Sequence, residues 1–337
     1  MGYQEAVSSV WHHTEGALSD EAAVLKEIVR YVTLAPSGHN TQCWKFRIGR
    51  RSIDILPDLT RRTPVVDPDD HHLYVSLGCA TENLVLAASA FGFTVNLEFD
   101  AATGTTNARL EPSAAAVTPL FKAIPHRQCT RSDFDGAPLR NEELQLLESA
   151  GSGNGVRVLL LTEREAIEKV LEYVVQGNTL QVGKPGFVRE LEQWIRFSDG
   201  EAIRAGDGLS CRVTGNPSAP RWLGAMLFRA FFRTKPENDK YARQIRSAAG
   251  IAVFVSAVDD KAHWAEAGRC YERFALQATS LGIRNAFVNQ PVEESGLRPE
   301  FAKVFGLGNG RPDLVVRFGR AKEMPRSLRR PLDAMLL

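Results

Sequence analysis

The chain repeats part of itself. The segment YVSLGCATENLVLAASAFGFTV, starting at Tyr74, aligns without a gap to WAEAGRCYERFALQATSLGIRN, starting at Trp264, at an offset of 190 residues. Tyr74 matches Trp264, Gly78 matches Gly268, Glu82 matches Glu272, Leu86 matches Leu276, Ala88 matches Ala278 and Gly92 matches Gly282, while Cys79 stands one place before Cys270. Each copy reads as a long helix with an apolar face, closed by a glycine able to take the left-handed cap conformation and followed by a short strand-like run. Chance likeness between two amphipathic helices is the rival explanation. Against it stand the matched glutamate and the matched interior glycines, which cost a helix roughly 1 kcal/mol relative to alanine. A glycine kept there serves close packing of two backbones, or of backbone on ligand; both readings are open at this stage.

A weaker correspondence joins LAPSGHNTQCWKFRI (34–48) to ESAGSGNGVRVLLL (148–161), each a helix running into a small-residue turn and then a strand. This offset is about 115, so the second half carries some 75 further residues before its long helix. The extra block, roughly 162–247, looks helical at 164–175 and 187–197 and contains the Gly- and Pro-rich stretch GDGLSCRVTGNPSAP. We read it as an insertion able to cover a site. The expected order is helix 20–34, strand 45–55, helix 70–91, strands 93–99 and 107–111, helix 141–150, strand 156–161, the inserted helices, strand 251–257, helix 260–281, strand 284–288, helix 293–305 and strand 313–318. Helices and strands mix without strict alternation, which favours an α+β layered fold of two related halves, 1–124 and 125–337, forming a pseudo-dimer within one chain.

Bulk properties narrow the function classes. Basic and acidic residues number 41 and 40, so nothing in the net charge draws the chain to nucleic acid or a membrane. The five cysteines are dispersed without a CxxC pair, which excludes four-ligand zinc patterns and argues against a secreted disulfide framework. The opening MGYQEAVSSVWHHTEG has no signal-peptide pattern, and Ala6 stands where a myristoylation site wants Ser or Thr. The apolar stretches 84–93 and 251–258 are short for a membrane span, and the cytoplasm is the expected location. A small-molecule ligand is the better expectation.

The richest polar stretch is Ala35-Pro36-Ser37-Gly38-His39-Asn40-Thr41-Gln42-Cys43-Trp44. Such a turn offers hydrogen-bonding groups to a flat polar ligand, or caps its own backbone. Asp67-Pro68-Asp69-Asp70-His71-His72 has a metal-like composition, but adjacent histidines point apart and no HxxxH spacing occurs, so an acidic helix N-terminus is expected and no metal. Gly306-Leu307-Gly308-Asn309-Gly310 precedes a strand rather than opening a helix and fails as a dinucleotide loop. No GxSxG elbow occurs.

The run APSGHNTQCWKF closely resembles the A-P-S-S-x-N-x-Q-P-W signature of the nitroreductase family, retaining Pro36, Ser37, Asn40, Gln42 and Trp44, with Gly38 for the second Ser and Cys43 for the Pro. DPDDHHLYVSLGCATENLVLAASAFG resembles that family's next helix, and IPHRQCTRSDFDGAPL resembles the R-x-S-x-R/K-x-F that opens a family protomer. Two unequal halves are similar to the fused, Acg-like branch. The resemblance implies a nitroreductase-like fold binding FMN, with Pro36, Ser37 and Asn40 on the ring or ribityl chain and Arg127, Cys129 and Arg131 on the ribityl phosphate. It implies further phosphate contacts from Arg329 and Arg330 in the closing run RSLRRP, and a turn at Gln290, Pro291, Val292 and Glu293 beside the reactive edge of the flavin. The implied activity is hydride transfer from NAD(P)H to a nitroaromatic or quinone-like acceptor in two strokes, with no side chain named as catalytic. The alternative is an FMN-storing protein with a lidded site and little turnover. As a pseudo-dimer the chain is expected to act as a monomer, with further oligomerisation open.

Overall fold

A computed structural model describes residues 2–337. Two four-stranded antiparallel sheets share one connection pattern. In the first, β1 (Trp44–Gly49), β2 (Ser52–Pro57), β3 (Phe93–Asp100) and β4 (Thr105–Pro112) lie in the order β1-β2-β4-β3. In the second, β5 (Val156–Leu161), β6 (Gly250–Ser256), β7 (Arg284–Phe287) and β8 (Arg311–Gly319) lie in the order β5-β6-β8-β7. The fold is α+β. The single strand expected over 45–55 is a hairpin, turning at Arg50-Arg51 with Arg51 at φ 54°. The expected helix 293–305 is two pieces, Gln290–Glu293 and Arg298–Val304.

The other principal helices are α1 (Glu21–Val32), α2 (His71–Ala90), α3 (Asn141–Ala150), α4 (Arg164–Val182), α5 (Pro185–Trp194), α6 (Arg221–Phe231), α7 (Thr234–Arg246) and α8 (Lys261–Ser280). The repeated helices α2 and α8 cross at the centre, and their glycines are the reason they can. A Cβ on Gly78 would lie 1.8 Å from the Ala265 carbonyl oxygen, and one on Gly268 would lie 1.9 Å from that of Val75. Val75 and Ala265 are themselves a matched pair under the 190-residue offset, so the crossing maps onto itself when the halves are exchanged. The matched glycines therefore serve backbone packing at a local twofold axis. By length and a hydropathy of 1.2 α2 would pass for a membrane span, yet 78% of that window is buried in the molecule, as befits the core helix of two layers.

The two sheets differ as their sequences do. In β3, FTVNLEFD alternates and one face meets solvent, whereas GIAVFVS in β6 is apolar up to its closing Ser256 and buried throughout. One face of the second sheet joins the central core through Phe254 and Val316; the other packs Ile251, Val253 and Val315 against Ile167, Val170 and Val174 of α4. Helices α4 to α7 all lie between β5 and β6, where the first half has only its two-residue turn. After β8 the chain returns to the first half and ends along β1, where Phe46 N–H donates to Met335 O at 2.8 Å and Leu337 N–H to Phe46 O at 2.9 Å.

Candidate functional site

A cavity of about 660 Å³ opens where the halves meet, large enough for a mononucleotide-sized ligand. Three walls come from three parts of the chain. The turn Pro36–Asn40 and the start of α2 (Asp67, His72, Ser76, Cys79) form one; Arg127–Cys129, Arg131, Asn289, Gln290 and Glu293 form the second. The insertion supplies the third, with Asn178, Gln181, Phe187, Phe197, Phe228, Phe232 and Tyr241.

The polar turn is strained and tied down. His39, Asn40 and Gln42 have φ of 50°, 55° and 52°, a region that costs non-glycine residues on the order of 1 kcal/mol each. Their partners hold them there. Asn40 Nδ2 donates to Gly208 O and Leu328 O at 3.1 and 3.2 Å, and the buried Gln42 donates from Nε2 to Gly206 O and accepts from Arg330 N–H. The signature amides thus knit the turn to the insertion and the C-terminal tail. Ser37 Oγ accepts from Gln42 N–H at 2.9 Å and keeps its own proton for a ligand.

The arginines divide sharply. Arg329 has all five of its N–H groups engaged: Nε on Thr33 O, Nη1 on Asn40 Oδ1 and Leu328 O, and Nη2 on Leu34 O and Ala35 O. It closes the carbonyl end of α1 and has no donor left for phosphate. Burial, with Arg127 nearby, lowers its pKa to about 9, so it stays charged at neutral pH. Arg330 lies off the cavity, with its guanidinium on Gln42 O and Ala334 O. The phosphate contacts expected of both are corrected by this geometry. In the turn expected beside the flavin edge, Gln290 and Glu293 line the cavity, while the side chains of Pro291 and Val292 are buried, Val292 in the core cluster that holds Phe301.

Arg127 is buried, with Nη2 on Leu34 O at 2.9 Å and Nε 3.2 Å from Glu272 Oε1. Arg131 lines the cavity, and among the described residues its guanidinium has no hydrogen-bond or ion-pair partner. It is the free cation of the site. Cys129, between them, is half-buried and bridges to Asn285 of β7, where Thr130 N–H donates to Asn285 O at 2.9 Å.

Sequence reasoning passed over the corner at Asp67 and His72. Adjacent histidines were expected to point apart, but the rings of His71 and His72 lie 4.5 Å apart, and ligating atoms of both and of Asp67 fall within 4.8 Å of one another. The partners of these groups are internal. Asp67 caps α2 by accepting the His72 and Leu73 N–H groups at 3.0 Å each; His71 Nε2 bonds Asp313 at 2.9 Å; His72 sits between Asp67 and Asn289. The acidic helix N-terminus expected here is thus made by Asp67.

The chain is 27% identical over 333 residues to a Mycobacterium tuberculosis protein named "Putative NAD(P)H nitroreductase", present in two strains, covering 94% of this chain and 92% of that one. The chain is a full-length relative of a protein named as a nitroreductase. No family model matches it. Among solved structures, an FMN-dependent nitroreductase of Mycobacterium smegmatis in complex with NADPH matches at 14% identity and a TM-score of 0.41, over 64% of this chain and 96% of that one. A nitroreductase with bound FMN from Bacteroides fragilis matches at 13% identity and a TM-score of 0.37, over 61% and 89%.

Other cavity residues escaped the sequence reading for a common reason. Gln128 lies within IPHRQCTRSDF, where nothing in the spacing sets it apart from its neighbours. The aromatic wall from the insertion carried a signal in the run LFRAFF (227–232), legible as apolar excess but not as a direction.

Proposed function

We propose that this cavity holds FMN and that the chain is an FMN-dependent oxidoreductase using NAD(P)H. The observation that carries the reading is convergence: the Pro36–Asn40 turn of one half, and the Arg127–Arg131 and Gln290–Glu293 segments of the other, face a single cavity. The donor set suits the cofactor. Arg131 offers an uncommitted guanidinium to a phosphate near two negative charges. Gln128 Nε2 and Gln290 Oε1 are buried without hydrogen-bond partners, and both belong to cavity residues, which suits a ring edge carrying both donors and acceptors. Pro36, Ser37, Asn40, Cys129 and Glu293 complete its surroundings. FMN, when bound, supplies hydride acceptance and donation. The protein's residues bind, orient and keep out water. The aromatic wall of Phe187, Phe197, Phe228 and Phe232 favours flat apolar acceptors, of which nitroaromatics and quinones are the natural classes. One chain supplies every wall.

That same wall favours a second reading, a sequestering protein whose insertion closes over FMN. Anaerobic mixing separates the two. Purified protein is expected to be yellow, or to take up FMN, and to bleach rapidly with NADH or NADPH. Protein that stays yellow under both supports sequestration; protein that neither retains nor takes up FMN ends both readings.

A further inference from the structure

We infer that Asp67 and His72 form a proton-delivery dyad for the acceptor, making His72 a catalytic acid of the site. The inference rests on the oxidoreductase reading above. His72 lines the cavity beside Asn289, at the head of the turn whose Gln290 and Glu293 also face the ligand space. Its two nitrogens have different neighbours. Nδ1 is 3.5 Å from Asp67 Oδ1, and Nε2 is 3.4 Å from Asn289 Nδ2. Asn289 is fixed in orientation, because its Oδ1 accepts Val315 N–H at 2.9 Å, so its amide N–H groups are what Nε2 meets. The neutral ring therefore carries its proton on Nδ1, toward Asp67, and its Nε2 lone pair accepts the Asn289 amide N–H. When Nε2 is protonated it faces another donor and has no protein acceptor, so the proton is available to a ligand oxygen.

The orienting carboxylate is held as firmly as the ring. Both Asp67 oxygens accept backbone N–H groups of α2, and Asp67 is pushed down to about 2, with its bonds to His72 outweighing burial, which alone would raise it. The groups facing His72 are Asp67, Glu293 across the cavity, Arg311 of β8, His71 on its own helix and His39 of the polar turn. Asp67 and Glu293 hold the imidazolium above its ordinary range against burial and Arg311. Burial leaves His71 neutral, and burial with Arg131 brings His39 down to about 4, so neither competes as the proton source at neutral pH.

The step balances with a quinone-like acceptor. NAD(P)H, quinone and one proton give NAD(P)⁺ and hydroquinone. The hydride originates in NAD(P)H and the proton in His72, whose Nε2–H bond breaks as an O–H bond forms on the acceptor; water then reprotonates the ring. Inside a cavity roofed by phenylalanines, a fixed acid is a nearer proton source than bulk solvent.

Two measurements test this. NMR titration of the histidine Cε1–H signals, with His72 assigned by its loss in His72→Gln, is expected to place His72 above the ordinary value near 6.5 and to move it downward in Asp67→Asn. Stopped-flow oxidation of the NADPH-reduced holoprotein is then compared between a benzoquinone, which needs protons, and ferricyanide, which accepts an electron alone. His72→Gln is expected to lower the quinone-to-ferricyanide rate ratio about a hundredfold and to remove the fall in quinone rate with rising pH. His72→Asn gives the same readout if glutamine disturbs the first turn of α2. A His72 titrating at or below 6.5, or an unchanged rate ratio, overturns the dyad. Failure of the protein to bind FMN sinks the oxidoreductase reading and the catalytic role with it, and is distinguished by a His72 titration that still shows the Asp67 shift.

Discussion

Replacing Glu272 by Gln tests the electrostatics at the centre of the molecule. Glu272 lies on α8, fully buried, and its one ion-pair partner among the described residues is Arg127; both carboxylate oxygens lack a well-aligned hydrogen bond. Its repeat mate Glu82 instead has Arg269 and Arg273 at 3.1 and 3.0 Å. The positions matching those arginines in the first half are Cys79 and Asn83, so Glu272 has lost the symmetric cations. Burial and pairing pull on the Glu272–Arg127 pair in opposite directions. Arg127 has Leu34 O as a second partner and is held up by the attraction, whereas for Glu272 desolvation outweighs it and raises the carboxyl from 4.5 to about 7. We take the carboxyl as the member that yields. A folded-state value above the unfolded one gives a contribution fully present below pH 4.5 and lost as pH rises through about 7. At about 1.4 kcal/mol per unit, that loss is on the order of 3 kcal/mol. Urea unfolding of ligand-free wild type and Glu272→Gln, from pH 4.5 to 8 at constant ionic strength, reads it. The variant strips a partner from Arg127 at every pH, so the informative quantity is the pH dependence of the difference. Wild type is expected to lose on the order of 3 kcal/mol relative to the variant across that range. Parallel curves would refute the reasoning.

The remaining expectations concern packing, cofactor binding and thiol chemistry. Gly78→Ala and Gly268→Ala each drive a methyl into a carbonyl oxygen of the crossing helix and are expected to cost more than about 3 kcal/mol or to abolish soluble expression. Gly296→Ala, which meets nothing within 4 Å, is expected to change urea stability by less than about 0.5 kcal/mol. Arg131→Ala is expected to weaken FMN binding about tenfold or more at unchanged melting temperature, the loss of one charge-assisted phosphate contact. Arg329→Met is expected to lower the melting temperature, because it orphans the carbonyls of Thr33 and Ala35 and leaves that of Leu34 to Arg127 alone; a normal melting temperature with lost FMN binding would reverse the assignment of these arginines. Of the five cysteines only Cys129 is not buried, and burial raises Cys43 and Cys270 to about 12, so one thiol per chain is expected to react quickly with a disulfide reagent.

What the sequence made legible follows the reach of its signals. The long helices, the alternating strand Phe93–Asp100 and the uninterrupted apolar run at Gly250–Ser256 are local patterns, and each sits where its period places it. The hairpin at Arg50-Arg51 was missed because its turn lacks the usual Asn-Gly or Asp-Gly; an arginine takes the positive φ instead. At the site, position in the chain was a better guide than side-chain chemistry. The segments named from resemblance do reach one cavity, but whether a guanidinium is free depends on carbonyls far away in sequence. Arg329 and Arg131 look alike in the sequence; one is saturated by the end of α1, the other faces open space.

The same distinction explains how a nearly symmetric scaffold carries an asymmetric site. At the twofold crossing symmetry persists, because each glycine is required by the backbone of the other half. Away from the axis no such reciprocity holds, and the halves diverge. The first half keeps the strained polar turn and the histidine at the start of α2, where Ala262 stands in the repeat. The second half keeps the free arginine and interrupts its first hairpin with α4 to α7. A symmetric ancestor with two equal crevices would need both copies of each feature. A chain with one roofed cavity needs each feature once, placed so that the two sets meet across the junction. The divergence of Glu82 from Glu272 is then a consequence: the paired carboxylate lies away from the cavity, whereas Glu272 shares its one cation with a cavity wall. Restoring a symmetric cation by Asn83→Arg should therefore bring Glu272 back toward the ordinary carboxylate range and flatten the pH dependence as Glu272→Gln does. An Asn83→Arg variant that folds yet keeps the wild-type pH slope would mean that burial alone, not the lost partner, sets the Glu272 carboxyl.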